Sequence, residues 1–541
     1  MEKVLVVDAN ARGIGRRVST IDVIGVGPRL VTSLLRNYNI AARLYAYENV
    51  IEDPKIMESY DILAISFMIS DVPAVKKLIN LWNKINNGGI VILGGSGALS
   101  QAILQSLRFS MAFKGEVEVT FKHIFSSYTK LSESYEVFLK EKSTIRGLVI
   151  KTQNGELLDG GLGIWAPKEM LNIIPVIEDL KTYPLFWASR VYVEVVRGCS
   201  NFKRAKQASN GKVCTNCNLC YVDPLSLKAP CPIGILPGCG YCSVPTVHGP
   251  ARSRNLYTIL EEVERLTKIG VSRIVLSAPD FLDFGRDHLV ENPLTEPCRP
   301  PPNIEMIEEL LNKLTRIRAI AMEKTVIMIE NVKPCLVNDE VADVLGRYLK
   351  DTPIYIGLES CSDELLEKIG RPATCSSTIN AIKKLSDHGL RPYVYLMHGL
   401  PIESEDDIRK TIKCIDVLES VGVERIVLYR FRPIPYSTFE NFTRPDTAMQ
   451  NASKRELYVK VSEFNKKQKD KLRGMVVKAI IAQRHPTKRG FLIAYPQKHG
   501  PVILLRGSSN LIGHRVTVKI QEAISDRVVL GSLVHIHERY I

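Results

Sequence analysis

The chain has 541 residues, and its 72 Lys and Arg residues against 58 Asp and Glu residues give a net charge of +14. A hydrophobic fraction of 45% and a mean hydropathy near zero predict a soluble globular protein of roughly three domains. The N-terminal sequence MEKVLVVDANARG lacks the apolar core of a signal peptide, and no window offers about 18 uninterrupted apolar residues, so we expect a cytoplasmic protein without a membrane span.

Residues 1–125 alternate short apolar runs with segments of helical periodicity. The runs VLVVDA, DILAISFMIS and GIVILGGSG are predicted to be buried parallel strands with helices between them. This alternation is typical of a doubly wound α/β domain. The glycine-rich end of the third run, Gly94–Gly97, would either bring the backbone close to a ligand or serve tight packing.

Residues 126–190 show no clear pattern and are interpreted as a connecting segment. The alternation resumes over residues 191–446 with six strand–helix units, which predict a partial or full (β/α) barrel. Residues 447–489 are predicted to be a basic helical connector, and residues 490–541 a small all-β barrel.

Much of the positive charge is concentrated at the connector. Residues 451–490 hold twelve Lys and Arg residues against three Asp and Glu residues. Such a patch suits RNA or an anionic lipid surface, and it equally suits a solvated helix face. The sequence leaves these alternatives open.

Seven of the twelve cysteines lie between Cys199 and Cys242. In a reducing compartment this clustering favours metal binding over disulfides. Four of the seven follow the spacing Cys-x2-Cys-x2-Cys-x10-Cys, which is similar to the bacterial ferredoxin arrangement and predicts an iron–sulfur cluster; a zinc site and free thiols are the alternatives. These four are Cys214, Cys217, Cys220 and Cys231.

A second site is predicted from Cys239-x2-Cys242, a pair that needs a further ligand. The preferred partner is Cys199, at the end of the first strand of the predicted barrel. Three thiolates on a cubane cluster leave one iron open to a substrate or cosubstrate. The competing assignment takes Cys231, Cys239 and Cys242 as the triad and leaves Cys199 to the other set.

Five segments carry a resemblance to a known family: Arg197–Cys199 (RGC), Cys239–Pro245 (CGYCSVP), Ile356–Pro372, Tyr395–Ile408 and Arg432–Thr438. Together they resemble radical S-adenosylmethionine (SAM) enzymes, in particular the subgroup with a cobalamin-binding-like domain and the related methylthiotransferases. The resemblance covers about residues 1–440. The first gap of the family's cysteine motif usually spans three residues but spans 39 here, so we interpret residues 200–238 as an insert that carries an auxiliary cluster.

The resemblance implies that the open iron of a [4Fe–4S] cluster chelates SAM and that an external donor such as ferredoxin supplies one electron. Cleavage of the sulfonium bond then gives a 5′-deoxyadenosyl radical, which abstracts hydrogen from an unactivated C–H bond. Glu359 and Ser360 match a SAM-contacting position of relatives, and Arg371 is a further candidate; capping of the next helix is the alternative role for Glu359. The other cysteines have no ligand spacing and are predicted to be packing residues: Cys298, Cys335, Cys361, Cys375 and Cys414.

The two outer domains also resemble known modules. The N-terminal domain resembles a cobalamin-binding domain but lacks its Asp-x-His-x-x-Gly motif, since the first histidine is His123. Cobalamin would therefore bind without a histidine ligand, or the domain is a scaffold or a substrate-handling module. Asn510–Val534 resembles a TRAM domain, a module that commonly binds RNA. The related tRNA methylthiotransferases carry three cysteines in an N-terminal domain, whereas this chain has none before Cys199.

The domain order resembles that of the archaeal tetraether (GDGT) ring synthases. This resemblance implies formation of cyclopentane rings in the biphytanyl chains of membrane lipids, by an enzyme that is cytoplasmic or peripheral at the membrane. A fully ligated second cluster would carry the electron that such an oxidation leaves over. The alternatives are modification of tRNA by methylthiolation or methylation, a cobalamin-dependent methyltransferase with another substrate, and a binding protein without enzymatic activity.

Overall fold

The structure is a computed structural model, and it describes residues 2–13, 22–221, 231–498 and 500–540. The chain divides into two compact units. The first comprises Met1–Val193 and Arg254–Ile269, and the second comprises Glu194–Ser253 and Gly270–Ile541. The five domain segments predicted from the sequence (1–125, 126–190, 191–446, 447–489 and 490–541) stay a prediction, since this division does not test them.

Among the described residues before residue 190, the first unit has eight short strands and six α-helices. The strands are β1 (Lys3–Asp8), β2 (Val23–Ile24), β3 (Ala41–Ala46), β4 (Ile62–Ser66), β5 (Ile90–Gly94), β6 (Met111–Phe113), β7 (Leu148–Lys151) and β8 (Leu157–Asp159). The helices are α1 (Gly27–Asn37), α2 (Tyr47–Glu52), α3 (Val72–Ile85), α4 (Gln101–Ser106), α5 (Glu118–Ser127) and α6 (Leu131–Glu141). A further strand, β9 (Arg190–Glu194), pairs in parallel with β2.

Seven of these strands form one sheet in the order β3-β1-β4-β5-β6-β7-β8. The pairings from β3 to β6 are parallel, and β7 and β8 are added antiparallel at one edge. The parallel strands are continuous apolar runs because both faces of the sheet are buried, and α3 packs Leu78 and Trp82 into this core. The predicted doubly wound α/β domain is confirmed.

The glycine-rich end of β5 is shaped by close packing. Gly95 has φ of +86°, and a Cβ at Gly97 would lie 2.2 Å from the ring of Phe67. A larger side chain at Gly97 would therefore displace a buried phenyl ring. Close packing against Phe67 accounts for Gly95 and Gly97.

The second unit contains two short strands that pair antiparallel, Val196–Arg197 and Arg252–Ser253, and continues as an alternation of strands and helices. The strands are β10 (Val196–Arg197), β11 (Arg252–Ser253), β12 (Arg273–Ser277), β13 (Val326–Ile329), β14 (Asn331–Val332), β15 (Pro353–Glu359), β16 (Arg391–His398) and β17 (Arg425–Arg430). The helices from here on are α7 (Val244–His248), α8 (Leu256–Lys268, part of the first unit), α9 (Ile304–Thr315), α10 (Arg318–Ala321), α11 (Asp339–Leu349), α12 (Asp363–Lys368), α13 (Cys375–Asp387), α14 (Glu405–Ser420) and α15 (Ala452–Asp470).

Parallel pairing organises this unit. β12 pairs with β13, and β14 to β17 form a four-stranded sheet in chain order. Each crossover carries at least one helix, and side chains at the N-termini of several helices accept backbone N–H groups, as Ser362 does for α12 and Ser404 for α14. The carboxyl ends of β15 and β16 therefore open on the same edge, where ligands bind in sheets of this kind.

The chain ends in a closed five-stranded barrel. Its strands are β18 (Val476–Arg484), β19 (Phe491–Pro496), β20 (Val502–Arg506), β21 (His514–Ala523) and β22 (Val528–Arg539), in the order β18-β19-β20-β22-β21. Alternate apolar residues such as Ile481, Ile503 and Val518 fill its interior. The predicted small all-β barrel is confirmed, but its first strand, β18, lies within residues 447–489, which were predicted to be helical, because the helix ends at Asp470.

Helix α15 forms the first part of the predicted basic connector. Several of the lysines in this region form ion pairs with acidic residues of the same chain. Lys460 forms an ion pair of 2.9 Å with Asp416 of α14. Lys467 and Lys471 each form an ion pair with Glu419, with Nζ–Oε1 distances of 2.9 and 3.1 Å. These contacts favour a packed helix with a solvated face. Within the ranges that the structure describes, no helix has both the length and the apolar character needed to cross a membrane.

Candidate active site

Cys199, Cys239 and Cys242, which we call the motif triad, lie in two loops of the second unit. Gly198 before Cys199 has φ of +80°, and a Cβ there would lie 2.1 Å from the carbonyl oxygen of Pro250. The N–H of Cys242 donates to the carbonyl oxygen of Cys239 at 2.8 Å, which closes a tight turn just before α7. The backbone conformation of the RGC segment is therefore restricted by the close approach at Gly198, and that of the CGYC segment by the turn hydrogen bond.

The three thiols of the motif triad interact electrostatically. Desolvation raises the pKa of Cys199 to about 11 and that of Cys242 to about 12. The charge of Cys239 adds to both shifts, and that of Cys199 adds to the shift of Cys242. Thiolates gathered here would repel one another unless a cation joined them, which is the situation of cysteines that ligate a metal cluster. The donor set therefore fits an iron–sulfur cluster.

Asn201 orients two of the three thiols, a role that the sequence did not reveal. Its side-chain N–H donates to Cys239 Sγ at 3.3 Å and to the carbonyl oxygen of Gly370 at 3.1 Å. Its backbone N–H donates to Cys199 Sγ at 3.4 Å. N–H donors to cysteine sulfur stabilise the thiolate and tune the potential of a bound cluster.

Glu359 and Arg371 meet beside Cys239. The Tyr241 hydroxyl donates to Glu359 Oε1 at 2.9 Å, and Arg371 donates to the Tyr241 oxygen at 3.3 Å and to Cys239 Sγ at 3.8 Å. Arg371 also donates to the carbonyl oxygen of Gly357 in β15. Two residues predicted from the family resemblance thus share one polar cluster with the motif triad, and Tyr241, inside the CGYC segment, links them.

The carboxylate of Glu359 is buried at the end of β15, where its backbone has φ of +68°. Burial raises the pKa of Glu359, while the Arg371 charge and the Tyr241 hydrogen bond act in the opposite direction. The next helix, α12, is capped by Ser362, whose side chain accepts the N–H of Leu365. Glu359 therefore has no capping role there, and its carboxylate faces the polar cluster.

Ser360 makes its hydrogen bonds outside the cluster of Glu359, Tyr241 and Arg371. Its hydroxyl lies 3.2 Å from the hydroxyl of Thr411 in α14 and accepts the N–H of Ser362 at 3.2 Å. These bonds satisfy a buried side chain within the packing of β15 against α14. Its assignment as a SAM contact stays a prediction.

A buried ionic network lies next to Cys199. Lys333 Nζ donates to Ser200 Oγ at 2.5 Å and to Asp283 at 3.1 Å, and Arg286 forms an ion pair with the same carboxylate. Desolvation alone would lower the pKa of Lys333, but its carboxylate neighbours outweigh it and raise that pKa. The Lys333 charge in turn acts to lower the pKa of Cys199. These residues are spread over the chain without a motif, so the sequence could not indicate them.

The four-cysteine set lies in the insert. Arg204 donates to Cys220 Sγ at 3.2 Å and to the carbonyl oxygen of Ile235 at 2.7 Å, and the N–H of Asn216 donates to Cys214 Sγ at 3.4 Å. Cys217 is exposed and the other three are partly exposed. Most of the ten-residue gap before Cys231, positions 222–230, lies outside the described residues. The assignment of these four cysteines to one cluster stays a prediction.

The cysteines without ligand spacing do not behave as separate packing residues. Cys298 and Cys335 form a disulfide, so for this pair the prediction was wrong. Cys361, Cys375 and Cys414, which we call the compact triad, bring their Sγ atoms within 4.8 Å of one another. Hydrogen bonds from the other two thiols lower the pKa of Cys414 well below its usual value. The tertiary structure forms both groups, the disulfide pair and the compact triad. The spacing of these cysteines along the chain follows no motif.

Comparison with known proteins identifies related sequences and folds. Residues 231–415 match the model of the radical SAM superfamily. An uncharacterised protein of Methanopyrus kandleri is 33% identical over 539 residues, which cover 99% of this chain and 97% of the relative. The ribosomal protein uS12 methylthiotransferase RimO of Pseudothermotoga lettingae is 25% identical over 291 residues, which cover 52% of this chain and 57% of RimO.

A similar fold occurs in a solved structure. The radical SAM methyltransferase TsrM from Kitasatospora setae, with cobalamin and a [4Fe–4S] cluster bound, matches with a TM-score of 0.55 over 81% of this chain and 77% of that chain. The two sequences are 15% identical, so this likeness concerns the fold.

Proposed function

Because the chain belongs to one family with the Methanopyrus kandleri protein and contains a radical SAM domain, we propose that it cleaves SAM reductively and uses the 5′-deoxyadenosyl radical on a C–H bond. The observation that carries the proposal is the partly buried polar cluster in which Arg371 donates to Cys239 of the motif triad and to Tyr241, and Tyr241 donates to Glu359. Proteins of this superfamily bind a [4Fe–4S] cluster and SAM.

The motif triad would hold the cluster, with three thiolates that leave one iron free for SAM. When bound, a [4Fe–4S] cluster supplies the electron that cleaves the sulfonium bond. Asn201 fits this assignment because its two N–H groups point at sulfur atoms of Cys199 and Cys239. The Lys333 charge beside Cys199 further favours the thiolate form.

Glu359 and Arg371 would orient SAM. The amino group of SAM would keep N–H donors when SAM is chelated, and a buried carboxylate is a natural acceptor for them. Tyr241 and Arg371 fix the carboxylate of Glu359 before any ligand binds, so little orientation entropy remains to be lost on binding. Arg371 keeps a positive charge next to Cys239 and is itself held by Gly357.

Aromatic residues support the loop between Cys239 and Cys242. A Cβ at Gly240 would lie 2.4 Å from the ring of Phe439, and the N–H of Phe439 donates to the carbonyl oxygen of Gly240 at 2.8 Å. Phe431 and Phe442 pack edge-on against Phe439. This apolar support excludes water from one side of the loop and restricts its movement.

For the insert we propose a second, fully ligated cluster at Cys214, Cys217, Cys220 and Cys231. The ferredoxin-like spacing supports it, as does the Arg204 guanidinium at Cys220, which would offset thiolate charge. Such a cluster would pass electrons to or from the site.

For the substrate we propose the hydrocarbon chain of a tetraether membrane lipid, with ring formation as the reaction. The domain order and the fully ligated second set support this, since joining two carbons removes two hydrogens and needs an outlet for an electron. Modification of tRNA or a ribosomal protein is the second candidate, supported by the RimO match and the TRAM-like barrel. Against it stands the lack of any cysteine before Cys199.

Cobalamin is a further candidate ligand of the N-terminal unit. The fold match to TsrM supports it, whereas the absence of histidine before His123 means that no imidazole from residues 1–122 would ligate cobalt.

The proposal is tested on protein purified without oxygen. About eight iron atoms per chain and release of 5′-deoxyadenosine from SAM with a strong reductant are expected. A Cys217→Ser variant should keep about four iron atoms and still cleave SAM. Failure of the wild-type protein to release 5′-deoxyadenosine would contradict the proposed activity, and unchanged iron in Cys217→Ser would contradict the second cluster.

The substrate is tested by deletion of the gene, followed by analysis of core lipids and of nucleosides from tRNA. Loss of cyclopentane rings would support the lipid substrate. An unchanged ring distribution with a missing modified nucleoside would support the second candidate in its place.

A further inference from the structure

The compact triad joins three elements that are distant in sequence. Cys361 lies in the turn after β15, Cys375 is the first residue of α13, and Cys414 lies within α14. All three Sγ atoms lie within 4.8 Å of one another, and those of Cys375 and Cys414 are 3.9 Å apart. None of the three belongs to the motif triad or to the four-cysteine set.

These separations match ligands of a single ion. Zinc–sulfur bonds of about 2.3 Å in tetrahedral geometry place two ligand sulfurs about 3.8 Å apart. In a cubane each cysteine binds a different iron, so the sulfurs lie farther apart. A disulfide requires sulfurs at about 2.05 Å, which is far shorter than the 3.9 Å between Cys375 and Cys414, and it would leave the third thiol without a role.

The backbone around the compact triad is already fixed. The N–H of Cys375 donates to Asp363 Oδ1 at 2.6 Å, and that of Cys361 donates to Thr411 Oγ1 at 3.1 Å. The Thr411 hydroxyl donates to the carbonyl oxygen of Asp407 one turn earlier in α14. Such anchoring lowers the cost of bringing three thiolates to one ion.

The solvent exposure of the three cysteines indicates on which side a fourth ligand of the ion would lie. Cys414 is 8% exposed, whereas Cys361 and Cys375 are partly exposed. Sites with three protein ligands and one position open to water are the catalytic type of zinc site, and structural sites usually have four protein ligands.

We propose that Cys361, Cys375 and Cys414 bind one zinc ion, with water in the fourth position. Zinc is the divalent ion that thiolate-rich tetrahedral sites favour without redox chemistry. The ion would tie α13 and α14 to the turn that follows β15, two residues after Glu359. This site is independent of the proposed SAM chemistry.

The proposal is tested by elemental analysis of the full-length chain purified without oxygen from zinc-supplemented medium. About one zinc per chain is expected in the wild type, and at least a roughly tenfold loss in Cys375→Ser. The matched control is Cys217→Ser, which should keep its zinc. Wild-type protein without zinc, zinc retained in Cys375→Ser, or zinc lost in Cys217→Ser would each overturn the assignment.

X-ray absorption at the zinc edge of the wild type keeps the test valid if Cys375→Ser does not fold. Three sulfur neighbours at about 2.3 Å and one oxygen at about 2.0–2.2 Å are expected. Four sulfur neighbours would place zinc in the four-cysteine set and overturn the proposal.

Discussion

The motif triad and the compact triad have the same three donor atoms in different surroundings. The thiols of the motif triad lie in loops and receive N–H groups from Asn201 and Arg371. Those of the compact triad lie on or beside helices and contact one another. We infer that sulfur spacing and nearby donors, more than the number of cysteines, distinguish the proposed multi-iron cluster from the proposed single ion.

The largest effect should follow from Cys242→Ala. Loss of one of three ligands removes the SAM-binding cluster, so we expect release of 5′-deoxyadenosine to fall by about a thousandfold or more. The measurement is product formation with a strong reductant, together with iron content. Cys414→Ala serves as the matched control in the compact triad and should keep the iron. Equal loss of iron in both variants would break the distinction between the triads.

A smaller effect is expected from Glu359→Gln. The amide is a weaker acceptor than the carboxylate for the N–H groups of the SAM amino group, so SAM affinity should fall by about 10- to 100-fold while the iron content stays unchanged. Tyr241→Phe, which leaves the carboxylate in place, should weaken binding less. Calorimetric titration with SAM measures both variants. An unchanged dissociation constant in Glu359→Gln would remove Glu359 from the site.

Lys469 allows a test of how burial shifts the pKa of a charged side chain. Burial raises the pKa of the Glu359 carboxyl group and lowers that of the Lys469 ammonium group. Lys469 is 1% exposed, and desolvation lowers its pKa to about 8 although Glu424 lies 3.9 Å away. A folded pKa below the unfolded value means that stability is present above the unfolded pKa and is lost as pH falls through 8. Lys469→Met should therefore stabilise the protein at pH 7 by about 2–3 kcal/mol, with a gain that shrinks toward pH 10.

Lys466→Met, an exposed position on the same helix, is the control for this prediction. It should change the free energy of unfolding by no more than about 0.5 kcal/mol. Denaturant titrations at pH 7 and pH 10 measure both variants. A gain for Lys469→Met that does not depend on pH would contradict the assigned cause.

The smallest expected effect is that of zinc removal. A zinc-selective chelator should lower the midpoint of thermal unfolding by about 2–4 °C, because the ion joins only the β15 turn, α13 and α14. Iron content, measured on the same sample, should not change. Loss of iron together with zinc would show that the two kinds of site are not separable in this way.

Much of the fold was predictable from local pattern. Apolar runs such as the one that forms β4 are buried on both faces, so the parallel sheet of the first unit follows from periodicity and strand length. Four strands of the C-terminal barrel were likewise predictable from short apolar runs with turn residues between them, whereas β18 was assigned to the helical connector. Ser360 shows the limit, since its partner Thr411 lies on a helix 51 residues away.

The sequence by itself indicated the α/β class and the match of residues 231–415 to the radical SAM superfamily, and it predicted the cysteines of the motif triad as cluster ligands, because a ligand motif and a strand period are both local properties of the chain. Only the tertiary structure decided that Asn201 donates to Cys239 and Tyr241 to Glu359, that Cys298 pairs with Cys335, and that the three thiols of the compact triad lie together. The physical reason is that β15, α13 and α14 must pack together before their thiols meet, and no spacing along the chain encodes that packing.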